Sequence, residues 1–381
     1  MIYLDHNATT PADPRVLEAM LPYFTEIYAN PASDHGMGAL SKSAVDTARD
    51  SLANLLHARA DEMVFTSGAT EANNLAILGC APKLDAVGKK HIISTAIEHP
   101  AILEPLRYLE KMGWQITLLQ PDGAGKISPQ SIQKAITDQT GLVSVMFANN
   151  EIGTIQDIRE IGHLTRERGI YLHTDAAQAV GHLQIDVDAL NIDLLSLSGH
   201  KFYAPKGVGA LFVRSRQPRV KIAPIMHGGG QERGFRSGTL SVPLIVGLGC
   251  AAALAKKEMK QRAVMLGRLT TLLRVEILKS FPDATFNGHA TDRLVHNLNV
   301  ELPGIDNKWL LLRMREFCFS TGSACSTLHD IPSHVLIAIG LPKERIENCI
   351  RIGLGASSTE EHVRAFVGAL AALKREQAFA K

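Results

Sequence analysis

"GLVSVMFANNEIGTIQDIREIGHLTRERGIYLHTDAAQ", residues 141–178, contains an apolar run, a helical pattern and a second apolar run. The runs "LVSVMFA" and "GIYLHTD" are short, apolar and bounded by polar residues, which is typical of buried strands. Between them, "IREIGHLTRERG" repeats its apolar residues at helical spacing. Strand, helix and strand in this order predict a βαβ unit with two parallel strands.

The same alternation extends to both sides of this unit. "MVFTS", "HIIST" and "QITLLQ" each precede a helical pattern upstream, and "DLLSLS" and "GALFV" follow downstream. The sequence therefore predicts an α/β fold with a mostly parallel central sheet flanked by helices. After a long helical pattern from about 242 to 280, the regular alternation of strands and helices ends. The sequence there predicts a strand in "HNLNVEL" and a final helix in "HVRAFVGALAALKREQ". We expect a large domain of residues 12–255 and a smaller α+β domain of residues 1–11 and 256–381.

The composition excludes several classes of protein. The chain has 381 residues and a formal charge of +2 without long basic runs, so we predict no direct binding of nucleic acid. An acidic residue, Asp5, precedes any apolar stretch, and "VPLIVGLGCAAALA" is too short to cross a bilayer, so we expect no signal peptide, no membrane contact and a cytoplasmic location. Five cysteines without C-x-x-C spacing predict a reducing compartment and no metal site.

Polar side chains stand where five of the predicted strands end. Because ligands of open α/β sheets bind at the carboxyl ends of the strands, we expect these side chains to share one rim. They are Thr70, His99, Asn150, Asp175, Gln178, Ser198, His200 and Lys201.

The residues at this rim match the chemical needs of pyridoxal phosphate. No P-loop, dinucleotide fingerprint, H-E-x-x-H or G-x-S-x-G motif occurs in the chain. Pyridoxal phosphate needs a lysine for its aldehyde, a carboxylate for its ring nitrogen and an anion site for its phosphate. Lys201 follows the apolar "DLLSLS" and is the candidate lysine, whereas Lys206 lies between Pro205 and Gly207 and is typical of a turn. The ordinary alternative for Lys201 is a solvated side chain.

Two further residues match the ring of such a cofactor. Asp175 ends an apolar strand, where a lone carboxylate is costly unless a cation such as a pyridinium lies opposite. The alternative for Asp175 is an N-cap of a following helix. His99 could stack on the ring and relay protons, although a purely structural histidine is the alternative.

A phosphate site is predicted by "TSGATEANNLAI". A strand and a glycine turn precede a helix that opens at Ala69 and Thr70, whose backbone N–H groups would bind an anion. Ser198 and His200 would add donors from a neighbouring strand end. The alternative is a weak capping box at Thr70.

Eight motifs together resemble the cysteine desulfurases of the NifS/IscS type, which are fold-type I pyridoxal-phosphate enzymes of the class V aminotransferase family. The motifs are "YLDHNATTP", "FTSGATEANNLAI", "EHPAIL", "NNEIGTIQ", "HTDAAQAVG", "SGHKFYAPKGVGAL", "HGGGQERGFRSGT" and "TGSACS". The resemblance implies that Lys201 forms the covalent link, Asp175 contacts the ring nitrogen, His99 stacks and Gln178 donates to the ring hydroxyl. The implied phosphate contacts are Ala69, Thr70, Ser198 and His200, with Thr239 reaching across from a second subunit of a homodimer.

The resemblance also assigns the substrate contacts and the nucleophile. Arg351 is implied to bind the carboxylate of L-cysteine, and Asn150 to contact both cofactor and substrate. Cys325, in the small domain, is implied to take the sulfur as a persulfide and pass it to a protein acceptor, leaving L-alanine. The other cysteines, at 80, 250, 318 and 349, lie in apolar stretches of the sequence and are predicted to pack in the protein interior.

The sequence leaves the pathway open. Iron–sulfur cluster assembly is the first expectation, but the chain ends about 26 residues after Gly355, and the loop after Cys325 reads "LHDI" where housekeeping members carry smaller residues. Sulfur supply for DNA phosphorothioation or another thio-modification is therefore the alternative. Two other classes compete: an aminotransferase or lyase of the same fold would not need Cys325, and an idle scaffold or sulfur-relay partner would need neither Lys201 nor Cys325.

Overall fold

The computed structural model describes residues 1–322 and 332–379, with side chains in the last helix described to residue 376. The strands are β1 (Ile2–Tyr3), β2 (Met63–Thr66), β3 (His91–Thr95), β4 (Gln115–Leu119), β5 (Thr140–Ser144), β6 (Tyr171–Asp175), β7 (Leu194–Ser198), β8 (Gly209–Val213), β9 (Thr285–Asn287), β10 (Asn297–Glu301), β11 (Phe317–Cys318) and β12 (Cys349–Gly353). The α-helices are α1 (Pro14–Met20), α2 (Pro22–Thr25), α3 (Gly36–Leu56), α4 (Ala69–Asp85), α5 (Pro100–Lys111), α6 (Pro129–Ala135), α7 (Ile158–Glu167), α8 (Val242–Ser280), α9 (Asn307–Arg313), α10 (His334–Ala338), α11 (Lys343–Ile346) and α12 (Glu360–Phe379).

The central sheet has the strand order β2-β8-β7-β6-β5-β3-β4 within the described residues. The pairs β7-β6, β6-β5, β5-β3 and β3-β4 are parallel, and β8 alone runs against its two neighbours. The strands β3, β5, β7 and β8 are buried along their whole length because helices cover both faces of the sheet. The predicted α/β fold with a mostly parallel central sheet is confirmed.

Two apolar layers enclose this sheet. One face packs against α3, α7 and the first half of α8, with Leu52, Ile161 and Leu248 in its core. The other face packs against α4 and α5, with Leu75 and Leu106 in its core. The carboxyl ends of β2, β3, β5, β6 and β7 point to the same edge, which is where the candidate residues of the sequence lie.

The long helix α8 joins this unit to a second apolar core. Its residues up to Ala255 pack beneath the central sheet, whereas those from Leu266 onward pack against the antiparallel sheet β12-β10-β9 and α12. The predicted helix at about 242 to 280, the strand in "HNLNVEL" and the closing helix are all present. None of the described helices combines the length and the apolarity that crossing a membrane requires.

The N-terminal strand β1 enters the second unit. It pairs in parallel with β11, and Asp5 forms an isolated bridge with Gly353 at the end of β12. Cys318 in β11 is only half-buried, contrary to the expected core position, because this two-stranded ribbon leaves one side open. Cys250 is also only half-buried, at the flank of α8 beside Arg15, whereas the remaining two predicted packing cysteines are buried.

Candidate active site

A cavity of about 450 Å³ lies at the carboxyl edge of the central sheet, between the two units. Most of the predicted site residues line it, although they come from separate strand ends and from β12. Those lining the cavity are Ala69, Thr70, His99, Asn150, Asp175, Gln178, Ser198, His200, Lys201 and Arg351.

One predicted site residue within the described part of the chain does not line this cavity. Thr239 is exposed on the loop between β8 and α8 and is not part of the cavity wall. Cys325 lies outside the described residues. Its segment leaves the described chain after Gly322 and returns at Pro332.

The described residues on both sides of that segment form hydrogen bonds close to the cavity. Ser320 exchanges backbone hydrogen bonds with Arg351, at 3.1 and 2.6 Å. At the other end, Ser333 Oγ donates to the buried Glu151 carboxylate at 2.5 Å, and His334 Nε2 lies 2.9 Å from the carbonyl oxygen of Glu98. The described residues on either side of Cys325 are therefore bonded to Arg351, which lines the cavity, or to Glu151 and Glu98, which directly follow or precede the lining residues Asn150 and His99.

Lys201 stands at the end of β7, in the 3-10 helix Gly199–Lys201. Its Nζ donates to the carbonyl oxygens of Asn7 at 2.7 Å and Ala8 at 2.8 Å. Lys206 also reaches the cavity, but it is exposed on a turn. Lys201 is therefore not the solvated side chain that was its ordinary alternative.

The Asp175 carboxylate is buried at the end of β6. Its Oδ2 accepts from Asn73 Nδ2 at 2.7 Å and its Oδ1 accepts from the backbone N–H of Ala177 at 2.9 Å. Turns rather than a helix follow Asp175, so the helix N-cap that was its alternative is absent. These two donors fix a carboxylate that lines the cavity, as the partner of a ring cation would require.

His99 is the N-cap of α5. Because the backbone N–H of Ala101 donates to Nδ1 at 3.1 Å, the neutral ring must carry its proton on Nε2. Burial lowers the pKa of His99; the nearby Asp175 opposes this shift, and Lys201 and His334 add to it. His99 is therefore held as a neutral imidazole that can donate from Nε2.

An anion cradle forms where α4 begins. Gly68 caps this helix without a side-chain hydrogen bond, so the N–H groups of its first turn remain available. A Cβ at Gly209 would stand 2.7 Å from the Cα of Gly68, so only glycine lets β8 pass this close to the cradle. His200 Nδ1 lies 3.0 Å from Thr9 Oγ1, and burial, assisted by Lys201 and Lys206, lowers its pKa to about 4.

These features fit pyridoxal phosphate in the cavity. The uncapped start of α4 would hold the phosphate, the Asp175 carboxylate the ring nitrogen, and Lys201 the aldehyde carbon. Among the described residues, no three side chains of His, Cys, Asp or Glu are grouped so that they could hold a metal ion.

The N-terminal segment Asp5–Thr10 is the part of the site that the residue-level reasoning missed. Gln178 Nε2 donates to the carbonyl oxygen of Asn7 at 2.9 Å, and Asp5 pairs with Arg351. Asn7, Ala8 and Thr9 line the cavity. The available signal was the polar run "DHNATT" directly after an apolar strand, the same pattern that identified the other strand ends.

Glu98 is a buried carboxyl group beneath the cavity floor, next to His99. Its Oε1 accepts from Thr95 Oγ1 at 2.8 Å and from the backbone N–H of Met146 at 2.9 Å, while Oε2 has no hydrogen-bond partner among the described residues. Burial raises the pKa of Glu98 to about 8. The group is thus mostly protonated at neutral pH in the folded protein.

The Glu98→Gln variant is expected to be more stable than the parent at alkaline pH. The folded protein holds the Glu98 proton up to about pH 8, whereas an unfolded chain releases it near pH 4.5, so the parent loses stability as the pH rises between these values. The loss is about 1.4 kcal/mol per pH unit, or about 4 kcal/mol at pH 8, and a neutral glutamine avoids it. Urea unfolding of both proteins at pH 5 and pH 8 measures the difference.

Glu301→Gln is the matched control for this experiment. Glu301 pairs with Arg345, whose hydrogen bonds lower the pKa of Glu301, so this carboxylate stabilises the fold above its unfolded pKa and loses that effect on acidification. Its replacement should therefore destabilise the protein about equally at pH 5 and pH 8, because both values lie above the unfolded pKa of 4.5 and the effect is lost only at lower pH. A Glu98→Gln difference that does not change with pH would show that Glu98 is ionised in the folded state.

A family model and curated relatives match nearly the whole chain. The family model "Aminotransferase class-V" matches residues 2–366. The cysteine desulfurase IscS of Rickettsia rickettsii (strain Iowa) is 47% identical over 363 residues, covering 95% of this chain and 88% of the relative.

Solved structures share the fold over nearly the whole chain. A "NifS-like protein" superposes with a TM-score of 0.91 at 34% identity, covering 98% of this chain and 99% of that one. "SspA in complex with cysteine" superposes with a TM-score of 0.83 at 39% identity, covering 93% and 99%. The second of these structures holds cysteine, the substrate expected from the sequence.

Proposed function

Because the chain belongs to the aminotransferase class-V family and, within it, to the cysteine desulfurases, we propose that it converts L-cysteine to L-alanine and transfers the sulfur through Cys325 to a protein acceptor. The observation that carries this proposal is the convergence of Lys201, Asp175 and Arg351 on one cavity. When bound there, pyridoxal phosphate supplies an electron sink for the carbon skeleton of the substrate.

Lys201 serves as the covalent anchor and as the base at the α-carbon. Its amine is held at the carbonyl oxygens of Asn7 and Ala8, so it is already oriented in the cavity. Asp175, fixed by two donors, would hold the protonated ring nitrogen of the cofactor, and Gln178 would contact its ring hydroxyl. The neutral His99 would lie against the ring and could donate a proton from Nε2.

Arg351 and Asn150 receive the carboxylate of L-cysteine. Arg351 is almost entirely buried, in the middle of β12, and it is one of the residues that line the cavity. A planar guanidinium can bind a carboxylate through two N–H groups, which fixes the direction of the substrate.

Cys325 takes the sulfur atom from the substrate. Its thiolate attacks the substrate sulfur, so that an S–S bond forms as the C–S bond breaks, and the electron pair of the C–S bond stays with the carbon skeleton, which is protonated to L-alanine. The persulfide then passes its outer sulfur to the acceptor. Support comes from the described residues that flank this segment: Ser320 pairs with Arg351, which lines the cavity, and Ser333 binds Glu151, which follows the lining residue Asn150.

The acceptor belongs to iron–sulfur cluster assembly in the first instance, as the name IscS of the 47% identical relative suggests. Sulfur supply for DNA phosphorothioation or another thio-modification is the alternative. The active form is a homodimer in which Thr239 of one subunit reaches the phosphate of the other. Two features support this assembly: Thr239 is exposed, and the segment 21–28, which contains α2, leaves apolar side chains exposed at Leu21, Phe24 and Tyr28.

The purified holoenzyme is expected to release L-alanine and sulfide in equal amounts from L-cysteine in the presence of a thiol reductant. The reductant replaces the natural acceptor and cleaves the persulfide, so that Cys325 can turn over again. Alanine is measured by chromatography and sulfide colorimetrically. Release of pyruvate and ammonia with the sulfide would instead indicate a lyase, and alanine formation that needs an added amino donor and keto acid would indicate an aminotransferase.

A further inference from the structure

Arg351 is not alone in the wall of the cavity: an acidic side chain from the other end of the chain holds it. Asp5 Oδ1 accepts from Arg351 Nη2 at 2.8 Å. The other terminal nitrogen, Nη1, donates to the carbonyl oxygen of Asn150 at 3.2 Å. Two of the five N–H groups of the guanidinium are thereby used by the protein itself.

The pair is well shielded from water. The Arg351 side chain is 1% exposed and that of Asp5 17% exposed. A buried guanidinium without a countercharge would cost several kcal/mol, so this pair is more than a surface contact. Arg351 Nε has no hydrogen-bond partner among the described residues, which leaves donors available for a carboxylate ligand.

Asp5 approaches Arg351 from outside the cavity. Arg351 and Asn7 line the cavity wall, whereas Asp5 does not. The backbone of Asp5 is fixed, because it bridges to Gly353, and its carbonyl oxygen accepts from Tyr3 Oη at 3.2 Å. The carboxylate is therefore a rigid support behind the guanidinium rather than a mobile competitor in front of it.

We propose that Asp5 is a positioning residue that fixes the Arg351 guanidinium for the α-carboxylate of the substrate, and thereby makes the site select α-amino acids over simple amines. The inference rests on the proposed desulfurase function only in that it takes Arg351 as the carboxylate receptor. It adds a residue, and a cause of specificity, to that function.

Two effects of Asp5 on a carboxylate ligand oppose each other. The negative charge of Asp5 repels the carboxylate of the ligand, which would bind on the other side of the guanidinium. At an effective dielectric constant of about 20, and with the guanidinium between the two carboxylates, this repulsion costs only a few kcal/mol before screening by salt. Without Asp5, the buried Arg351 would keep a single hydrogen-bond acceptor, the carbonyl oxygen of Asn150, and its guanidinium would reorient towards another acceptor. Loss of direction removes the two-point contact itself, so orientation outweighs repulsion.

The experiment compares ligands with and without a carboxylate. L-Alanine and L-cysteine carry the α-carboxylate, whereas ethylamine and cysteamine present the same amine without it. Binding to the holoenzyme is followed by the change in cofactor absorbance and, for L-alanine, by calorimetry. The variants are Asp5→Ala, which removes the acceptor, and Asp5→Asn, which keeps an acceptor oxygen without the charge.

Asp5→Ala is expected to weaken the binding of L-alanine and L-cysteine by about tenfold to a hundredfold, the loss typical of a hydrogen bond to a charged group. Ethylamine and cysteamine should bind as they do to the parent. In turnover, KM for L-cysteine should rise by the same factor while kcat stays within about threefold, since uniform binding is lost. Asp5→Asn should recover part of the affinity.

Asp13→Asn is the matched control. Asp13 is also an aspartate near the start of the sequence paired with an arginine, Arg15, but neither residue lines the cavity and the Arg15 side chain is 51% exposed. It should leave the affinity for all four ligands unchanged. An equal loss for amines and amino acids in Asp5→Ala would indicate a general structural defect and overturn the proposal.

Tighter binding of L-alanine by Asp5→Ala would also overturn the proposal, because it would show that Asp5 competes with the ligand for Arg351. Failure of the parent enzyme to release alanine and sulfide would instead refute the proposed function. The ligand comparison remains valid in that case, since L-alanine and ethylamine contain no sulfur.

Discussion

The Lys201→Ala variant is expected to lose desulfurase activity by at least about a thousandfold, because it removes both the covalent anchor and the base at the α-carbon. It should also lose the lysine–cofactor bond that borohydride reduction makes permanent. Mass spectrometry of a digest of the reduced protein locates that bond. In the parent it should fall on the peptide that contains Lys201, whose Nζ is held by the carbonyl oxygens of Asn7 and Ala8.

Lys206→Ala is the control that the chain offers. Lys206 is five residues further on and also reaches the cavity, but it is exposed on a turn and stands beyond the end of β7. This variant should keep the reducible bond at Lys201. Cofactor found on Lys206 in the parent would refute the assignment.

The Cys325→Ser variant is expected to lose turnover by roughly a thousandfold or more while it still binds cofactor and L-cysteine. Serine is a far weaker nucleophile at neutral pH and cannot hold sulfane sulfur. The cofactor absorbance should therefore still change when L-cysteine is added, but no persulfide should form. Alkylation of the quenched protein followed by mass spectrometry measures the persulfide directly.

Cys318→Ser tests whether the effect belongs to Cys325 alone. Cys318 lies in β11, seven residues before Cys325, and is half-buried rather than in the core. Its replacement should change stability by a small amount and leave persulfide formation intact. Parental rates of alanine and sulfide release in Cys325→Ser would exclude Cys325 as the nucleophile and favour the lyase or aminotransferase.

Much of the fold could be predicted from the sequence because its signals are local. The runs that became β5 and β6 are short and apolar, and the segment that became α8 keeps its helical pattern over 39 residues. The residues at the carboxyl edge of the sheet could also be predicted from the sequence, because parallel strands end at the same edge. Strand ends therefore predicted Lys201 and Asp175 without reference to any relative.

What the sequence could not provide depends on contacts between distant parts of the chain. The pairing of Asp5 with Arg351 joins residues 346 positions apart, and the spacing of apolar residues in the sequence does not indicate such a contact. The raised pKa of Glu98 comes from burial, which the motif "EHPAIL" does not encode. The competing N-cap role of Asp175 was excluded only by the turns that follow it.

The insertion of the N-terminal segment between the two units has a consequence for biosynthesis. Asn7 and Ala8, which hold the Lys201 amine, and Asp5, which holds Arg351, are synthesised long before these partners. Their final partner β12 follows 346 residues after Asp5, roughly 17 to 70 s later at usual elongation rates. A nascent chain can thus form much of its central sheet before residues 5–10 have all their partners, so the cavity is completed only after β12 has been synthesised.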